Sequence, residues 1–276
     1  AAIVYSDIIT TVSPTYANEI LTDAYGEGLQ SILNMRRHDL FGILNGIDYD
    51  VNDPATDPNI AVNFDVSNVK AKKIENKLAL QREVGLPENP DVALIGIVTR
   101  LTWQKGLDLI INRLEELLKK EVQLVILGAG DAKYEEPLKQ MAGTDNPKIS
   151  LQLKYDFGLS CRIYASCDMF LMPSLFEPCG LSQMMSLRYG TIPIVRETGG
   201  LKDSVEPYNE YEDTGTGFSF ANYNAHEMEH TIDYALSVYY HNKEAWDRMV
   251  QRAMKVKLDW DRSSDEYINV FNALLY

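Results

Sequence analysis

The strongest constraint on the fold is a strict alternation of short apolar segments with helix-like segments through the middle of the chain. The apolar segments are continuous and of strand length, as in strands that are buried on both faces. They cover residues 92–98, 122–127, 149–153, 169–172 and 192–195. Strands separated by helices imply right-handed βαβ crossovers, so the pattern predicts an α/β fold with a Rossmann-like, doubly wound parallel sheet. From Asn224 onward the pattern is helical to the carboxyl-terminal end.

The residues that precede this alternation predict a separate unit. Asp7–Ser13 predicts a strand, and Ser13 before Pro14 has the pattern of a helix cap followed by proline in the first turn. Because that first strand has no earlier partner, we expect the rest of its sheet on a segment outside this chain. Residues 48–65, rich in Asp, Asn and Pro, predict an irregular connection. Three parts are therefore expected: a remnant of a preceding domain over 1–44, a Rossmann-like domain over 45–257, and a terminal helix over 258–276 that packs back toward the preceding domain.

Charge and hydropathy exclude two classes of partner. The chain has 26 basic and 40 acidic side chains, for a formal net charge of -14, and this excess of negative charge opposes binding to nucleic acid. No apolar segment approaches the roughly 18 residues that a membrane-spanning helix needs, so no membrane association is expected.

Neither a disulfide framework nor a metal site is indicated. The cysteines are odd in number and lack the paired spacing of metal ligands, which favours a reducing cytoplasm; they are Cys161, Cys167 and Cys179. His226–His230 matches the H-E-x-x-H pattern of zinc proteases but lies in an acidic, surface-like stretch. A solvated helix face is the favoured interpretation of that segment, and no metal is predicted.

One strand-to-helix connection carries a carboxylate. Residues 169–172 predict a buried strand, and from Gly180 apolar residues recur at roughly helical spacing. Glu177 therefore lies in the connecting loop, close to the free N–H groups of a helix start. Ligands of open parallel sheets bind at the carboxyl ends of the strands, so Glu177 is a candidate site residue.

Two other connections carry residues suited to an anionic or hydroxylated ligand. Arg100 and Lys105 share one loop and together suit a pyrophosphate, with a solvated loop bearing surface charges as the alternative interpretation. Gly199 and Gly200, which follow Thr198, allow backbone amides to approach a phosphate or a sugar, with a plain turn as the alternative.

A nicotinamide cofactor is not supported. Gly128-Ala-Gly130 follows a strand, as the dinucleotide fingerprint does, but Lys133 stands where the third glycine is required. The glycines are better explained by a tight turn that brings backbone near a ligand. No cofactor is predicted.

Several of these motifs, taken jointly, resemble the bacterial glycogen synthase and plant starch synthase family. Members are retaining glucosyltransferases of the GT-B fold, in which two Rossmann-like domains face each other across a cleft. They transfer glucose from ADP-glucose to the 4-hydroxyl at the non-reducing end of an α-1,4-glucan. The matching segments run along the whole chain: Thr11–Ala17, Asn45–Asp48, Arg100 with Lys105, Lys154–Gly158, Phe176–Leu181 and Thr198–Leu201.

The resemblance implies a role for individual residues. Arg100 and Lys105 hold the ADP phosphates and stabilise the charge on the leaving diphosphate without a metal. Glu177 orients the donor glucose through its hydroxyls, in a front-face displacement with an oxocarbenium-like state. The other implied nucleotide-sugar contacts are an adenine stack on Tyr155 and the pocket positions Cys179, Gly180, Leu181, Thr198, Gly199 and Gly200. Residues 45–257 are then the nucleotide-sugar-binding domain.

The chain departs from the family pattern in two ways. Met185 stands where related retaining transferases carry a second Glu, a position at which the synthase family itself tolerates a non-acidic residue. The family's amino-terminal Lys-x-Gly-Gly-Leu motif and the cleft His and Asp of its first domain have no counterpart. We therefore expect a donor-binding half that binds ADP but transfers little or no glucose alone. Its expected partners are ADP-glucose, an α-1,4-glucan and the absent amino-terminal domain. The alternatives are a transferase with a uridine-type donor and a non-catalytic domain that binds nucleotide or glucan.

Overall fold

The computed structural model describes residues 2–143 and 146–275. In these residues the strands are β1 (Ile9–Thr11), β2 (Leu40–Gly42), β3 (Ala93–Val98), β4 (Val122–Leu127), β5 (Ile149–Gln152), β6 (Met169–Met172), β7 (Ile192–Arg196) and β8 (Phe218–Phe220). The helices are α1 (Ala2–Tyr5), α2 (Pro14–Glu19), α3 (Gln30–Met35), α4 (Val69–Glu83), α5 (Leu107–Lys119), α6 (Ala132–Ala142), α7 (Phe157–Ser166), α8 (Ser182–Arg188), α9 (Gly199–Ser204), α10 (Ala225–His241), α11 (Lys243–Lys255) and α12 (Trp260–Asn272).

The main sheet is parallel throughout, and its strands lie in the order β5-β4-β3-β6-β7-β8. Strand order therefore reverses between β3 and β6, which pair through Ile95 with Met169 and Gly96 with Phe170. β3 and β4 are almost completely buried, as their continuous apolar sequences predict. The Rossmann-like, doubly wound α/β prediction is confirmed. In sheets of this kind, ligands bind beside the strand-end loops at the point of reversal, here the loops that leave β3 and β6.

Residues 2–44, which we call the amino-terminal segment, contain a second sheet of two strands. β1 and β2 make a parallel pair, and the Ser13 side chain caps α2 by accepting a hydrogen bond from the Tyr16 N–H at 2.9 Å. Asp203, on α9, accepts hydrogen bonds from the Ser13 hydroxyl at 2.6 Å and the Thr15 hydroxyl at 2.6 Å. These bonds attach the amino-terminal segment to α9. The proposed boundary at residue 45 stays a prediction.

Three local features differ from the sequence-based expectation. The α7 helix starts at Phe157 instead of Ser160, because the Asp156 side chain caps it through the Leu159 N–H at 2.9 Å. Strand β8 was not predicted. The carboxyl-terminal region is not one continuous helical stretch, since residues 256–259 separate α11 from α12. In the described part of the chain, no helix is both long and apolar enough to cross a membrane.

Lys73 on α4 is buried at the ends of two helices. Its ammonium donates to the Tyr189 carbonyl oxygen, just after α8, at 3.1 Å, and to the Thr191 hydroxyl at 2.6 Å. It also contacts the carbonyl oxygens of Tyr164 and Ala165 in the last turn of α7, at 3.3 and 3.2 Å. One cation thus satisfies carbonyl groups that helix ends leave free.

The buried Lys73 predicts a pH-dependent stability. Burial lowers the pKa of Lys73 from 10.5 to about 7. Between these values the unfolded chain binds more protons than the folded chain, so the free energy of unfolding rises with pH. We expect a rise of about 1.5 kcal/mol between about pH 7 and 8.5, measured by urea unfolding, relative to Lys73→Met. If the free energy of unfolding had the same pH profile in the unmodified protein and in Lys73→Met, this prediction would be contradicted.

Candidate functional site

The loops that leave β3 and β6 are joined at the point where strand order reverses. The backbone N–H of Leu175 donates to the carbonyl oxygen of Gln104 at 2.8 Å, and the Gln104 side chain donates to the Phe176 carbonyl oxygen at 3.3 Å. Gly106 has a φ of +72°, and a Cβ there would lie 2.1 Å from the Pro173 carbonyl oxygen. Only glycine therefore allows these two loops to approach so closely.

This contact brings two predicted site residues together as a nearly buried ion pair. The Lys105 Nζ lies 2.6 Å from the Glu177 Oε2, and their side chains are 15% and 9% exposed. The Ser174 hydroxyl donates to the same carboxylate oxygen at 3.0 Å. From the sequence, Lys105 was predicted to contact phosphates and Glu177 to contact a sugar. The ion pair between the two side chains was not predicted. The pair presents a cation for an anionic group beside a carboxylate that accepts hydrogen bonds from hydroxyls.

A second recess lies beside the loop after β3. A cavity of about 240 Å³ is lined by Arg100, Tyr155 and Gly128, among other residues of the loops after β3, β4 and β5. The Tyr155 ring is 93% exposed, which is unusual for a large aromatic side chain. An exposed ring beside an exposed guanidinium can stack on a planar base and bind an adjoining phosphate.

The predicted positions after Glu177 form a tightly held turn. Cys179 is buried, and burial raises the pKa of its thiol. The Gln183 side chain donates to the carbonyl oxygens of Cys179 at 3.1 Å and Gly180 at 2.9 Å, while Leu181 is exposed just before α8. The thiol is thus a small buried group, and the carboxamide determines the shape of the turn.

The Thr198-Gly199-Gly200 segment contacts the loop of Glu177 directly. A Cβ on Gly199 would lie 2.0 Å from the Glu177 carbonyl oxygen, and the Gly200 N–H donates to that oxygen at 3.1 Å. The Thr198 hydroxyl and the Gly199 N–H both donate to the Glu19 carboxylate, at 2.8 and 3.1 Å. These amides are therefore bonded to protein groups. Their predicted contact with a phosphate or sugar stays a prediction.

Some residues that shape the site were not singled out from the sequence. Glu19 on α2 binds the start of α9, and Arg196 at the end of β7 contacts the loop of Glu177. Gln104 binds the same loop from the loop after β3, and Ser174, within the loop, donates to the Glu177 carboxylate. Each of these four residues lies within or beside a segment that resembles the family. Their place in the sequence could therefore have marked them as site residues.

The H-E-x-x-H segment lies on α10. Its Glu229 forms ion pairs with Arg113 at 2.7 Å and Lys120 at 3.2 Å. Within residues 2–143 and 146–275, no group of three or more His, Cys, Asp or Glu side chains is arranged to hold a metal ion.

Comparison with known sequences and structures gives consistent matches. The sequence model described as "Glycosyl transferases group 1" matches residues 80–256, and the one described as "Starch synthase catalytic domain" matches residues 1–35. The glycogen synthase of Lachnospira eligens is 53% identical over 272 residues, which cover 99% of this chain and 57% of that protein. The glycogen synthase of Clostridium novyi is 51% identical, with 100% and 57% covered.

Among solved structures, the catalytic domain of starch synthase IV from Arabidopsis thaliana, bound to ADP and acarbose, superposes with a TM-score of 0.92. It is 38% identical, and the match covers 99% of this chain and 56% of that one. The chain spans a little over half the length of the relatives that it matches.

Proposed function

This chain belongs to the group 1 glycosyl transferases, within the glycogen and starch synthase family, and we propose that it binds ADP-glucose as the donor half of a retaining α-1,4-glucosyltransferase. The reaction proposed for the whole enzyme passes glucose to the non-reducing 4-hydroxyl of an α-1,4-glucan.

The observation that carries the proposal is the arrangement at the strand-order reversal. The Lys105–Glu177 pair lies between the loops after β3 and β6, and the cavity with Tyr155 and Arg100 lies beside the first of them. A nucleotide with its base on Tyr155 would direct its phosphates toward the two cations and its sugar toward Glu177. The starch synthase IV structure was determined with ADP, which supports an adenine nucleotide here.

The proposed chemistry is electrostatic. Arg100 and Lys105 neutralise the diphosphate as its bond to glucose breaks, and groups already oriented before reaction do this at little reorganisation cost. Glu177 holds the glucose hydroxyls while Lys105 holds the carboxylate in place. No metal or cofactor takes part in this scheme. In this scheme the turn beside the sugar is formed by Cys179, Gly180 and Leu181. The loop that carries this turn packs against Thr198, Gly199 and Gly200.

We also propose that the boundary at residue 45 separates the donor-binding domain, 45–257, from a remnant of the amino-terminal domain, 1–44. The terminal helix α12 presents exposed apolar side chains such as Ile268 and Phe271, each more than half exposed. An amino-terminal domain packed on this face would cover them.

Three free, buried cysteines support a reducing cytoplasmic location.

Calorimetric titration of this chain with ADP and with UDP tests the proposal. We expect ADP to bind more tightly than UDP, because stacking on Tyr155 and the cavity beside it favour the larger base. Tyr155→Ala should weaken ADP binding about tenfold, the loss expected when a base loses an aromatic stacking partner.

The control is Tyr211→Ala, because Tyr211 is equally exposed, at 92%, but lies outside the cavity. It should leave ADP binding unchanged. Tighter binding of UDP would support the uridine-donor alternative instead. In a chain completed with an amino-terminal catalytic domain, unchanged turnover after Glu177→Gln would support the non-catalytic alternative.

A further inference from the structure

Arg196, the last residue of β7, binds the loop that carries Glu177. Its Nη1 donates to the carbonyl oxygens of Leu175 at 2.6 Å and Ser174 at 3.3 Å. The Ser174 side chain in turn donates to the Glu177 carboxylate at 3.0 Å. Ser174 therefore links the Arg196 guanidinium, which binds its backbone carbonyl, to the carboxylate proposed to hold the sugar, which accepts from its hydroxyl.

The closest contacts of the Arg196 guanidinium are with this loop. In the described part of the chain it forms no ion pair, and its Nε is buried without a hydrogen-bond partner. Its Nη2 lies 3.4 Å from the Tyr25 hydroxyl, and its guanidinium lies 5.8 Å from the centre of the Tyr223 ring. The closest hydrogen bonds of this half-buried cation go to neutral carbonyl oxygens, so an ion pair does not explain why it lies here.

The loop is held from the opposite side as well. The Leu175 N–H donates to the Gln104 carbonyl oxygen at 2.8 Å, while its own carbonyl oxygen accepts from Arg196. Arg196 and the turn that contains Lys105 thus hold one residue between them. The planar fork of an arginine reaches two successive carbonyl oxygens and a hydroxyl at once, which a lysine ammonium does less well.

We propose that Arg196 is a positioning residue that orients Glu177 toward the donor glucose. The inference rests on the proposed function, because Glu177 binds the sugar only within it. Arg196 does not touch the nucleotide in this scheme. Its loss should therefore weaken the binding of ADP-glucose while leaving the binding of ADP nearly intact.

Calorimetric titration of this chain with ADP-glucose and with ADP tests the proposal. For Arg196→Ala we expect the affinity for ADP-glucose to fall about tenfold and that for ADP to change less than about twofold. Ser174→Ala should give the same selective loss, which provides a second route if Arg196→Ala does not fold. Arg113→Ala is the matched control, since Arg113 is also half-buried but pairs with Glu229; both affinities should be unchanged.

A double-mutant cycle with Glu177→Gln separates positioning from general structural support. If Arg196 acts through Glu177, adding Arg196→Ala to Glu177→Gln should weaken ADP-glucose binding no further. Independent losses in the cycle, or an equal loss of both ligands in Arg196→Ala, would overturn the inference. Absence of ADP binding by the unmodified chain would instead overturn the proposed function, and the inference with it.

Discussion

Lys105→Met is expected to lower the free energy of unfolding by about 3 kcal/mol and to weaken ADP binding by at least about tenfold. Its ammonium is the nearest cation to Glu177, at 2.6 Å, and both side chains are largely buried. Removal of one partner from a buried pair leaves an uncompensated charge, which typically costs about 3–5 kcal/mol. The lost contact with a phosphate removes a charge-assisted bond of about 1.5–3 kcal/mol. Urea unfolding and calorimetry measure the two effects.

Two further variants separate the effect on stability from the effect on ADP binding. Lys105→Met combined with Glu177→Leu should recover most of the stability, because no charge is left buried, but should not recover ADP binding. Lys119→Met removes one member of an exposed pair with Glu116, whose side chains are 67% and 44% exposed, and should cost less than about 1 kcal/mol. A stable Lys105→Met protein with normal ADP affinity would rule out the role assigned to this lysine.

Gly106→Ala is expected to lower the free energy of unfolding by about 3 kcal/mol and to weaken ADP-glucose binding. A side chain at a φ of +72° costs about 1–2 kcal/mol, and a Cβ 2.1 Å from the Pro173 carbonyl oxygen must push two loops apart. The loops that separate are those that hold Lys105 and Glu177. Their separation should therefore affect the ligand as well as the stability.

The chain offers a close control for this substitution. Gly85 has a φ of +76°, but no atom lies within 4 Å of a Cβ placed there. Gly85→Ala should cost only the conformational term, about 1–2 kcal/mol, and leave ligand binding unchanged. Thermal and urea unfolding of the two variants, with titration of ADP-glucose, give the comparison. Equal effects of the two substitutions would show that the loop contact is unimportant.

Much of the fold was predictable because its signals are local. The continuous apolar sequences of β3 and β4 need a buried parallel sheet whatever surrounds them, and their predicted bounds differ little from those observed. β8 was missed because Phe218–Phe220 is too short to show a pattern; it becomes a strand only by pairing with β7. The start of α7 depended on one hydrogen bond that the Asp156 carboxylate accepts from the Leu159 N–H, a capping interaction that a search for apolar periodicity does not weigh.

By itself, the sequence determined the succession of strands and helices apart from β8, the strand-end loops that hold the candidate residues, and the family. Only the tertiary structure decided that Lys105 and Glu177, 72 residues apart, form an ion pair. It also decided that Gly199 and Gly200 pack against the loop of Glu177, and that Arg196 binds that loop. The physical reason is range: apolar periodicity and capping act between neighbours along the chain, whereas these contacts exist only once the sheet has brought separate strand ends to one edge.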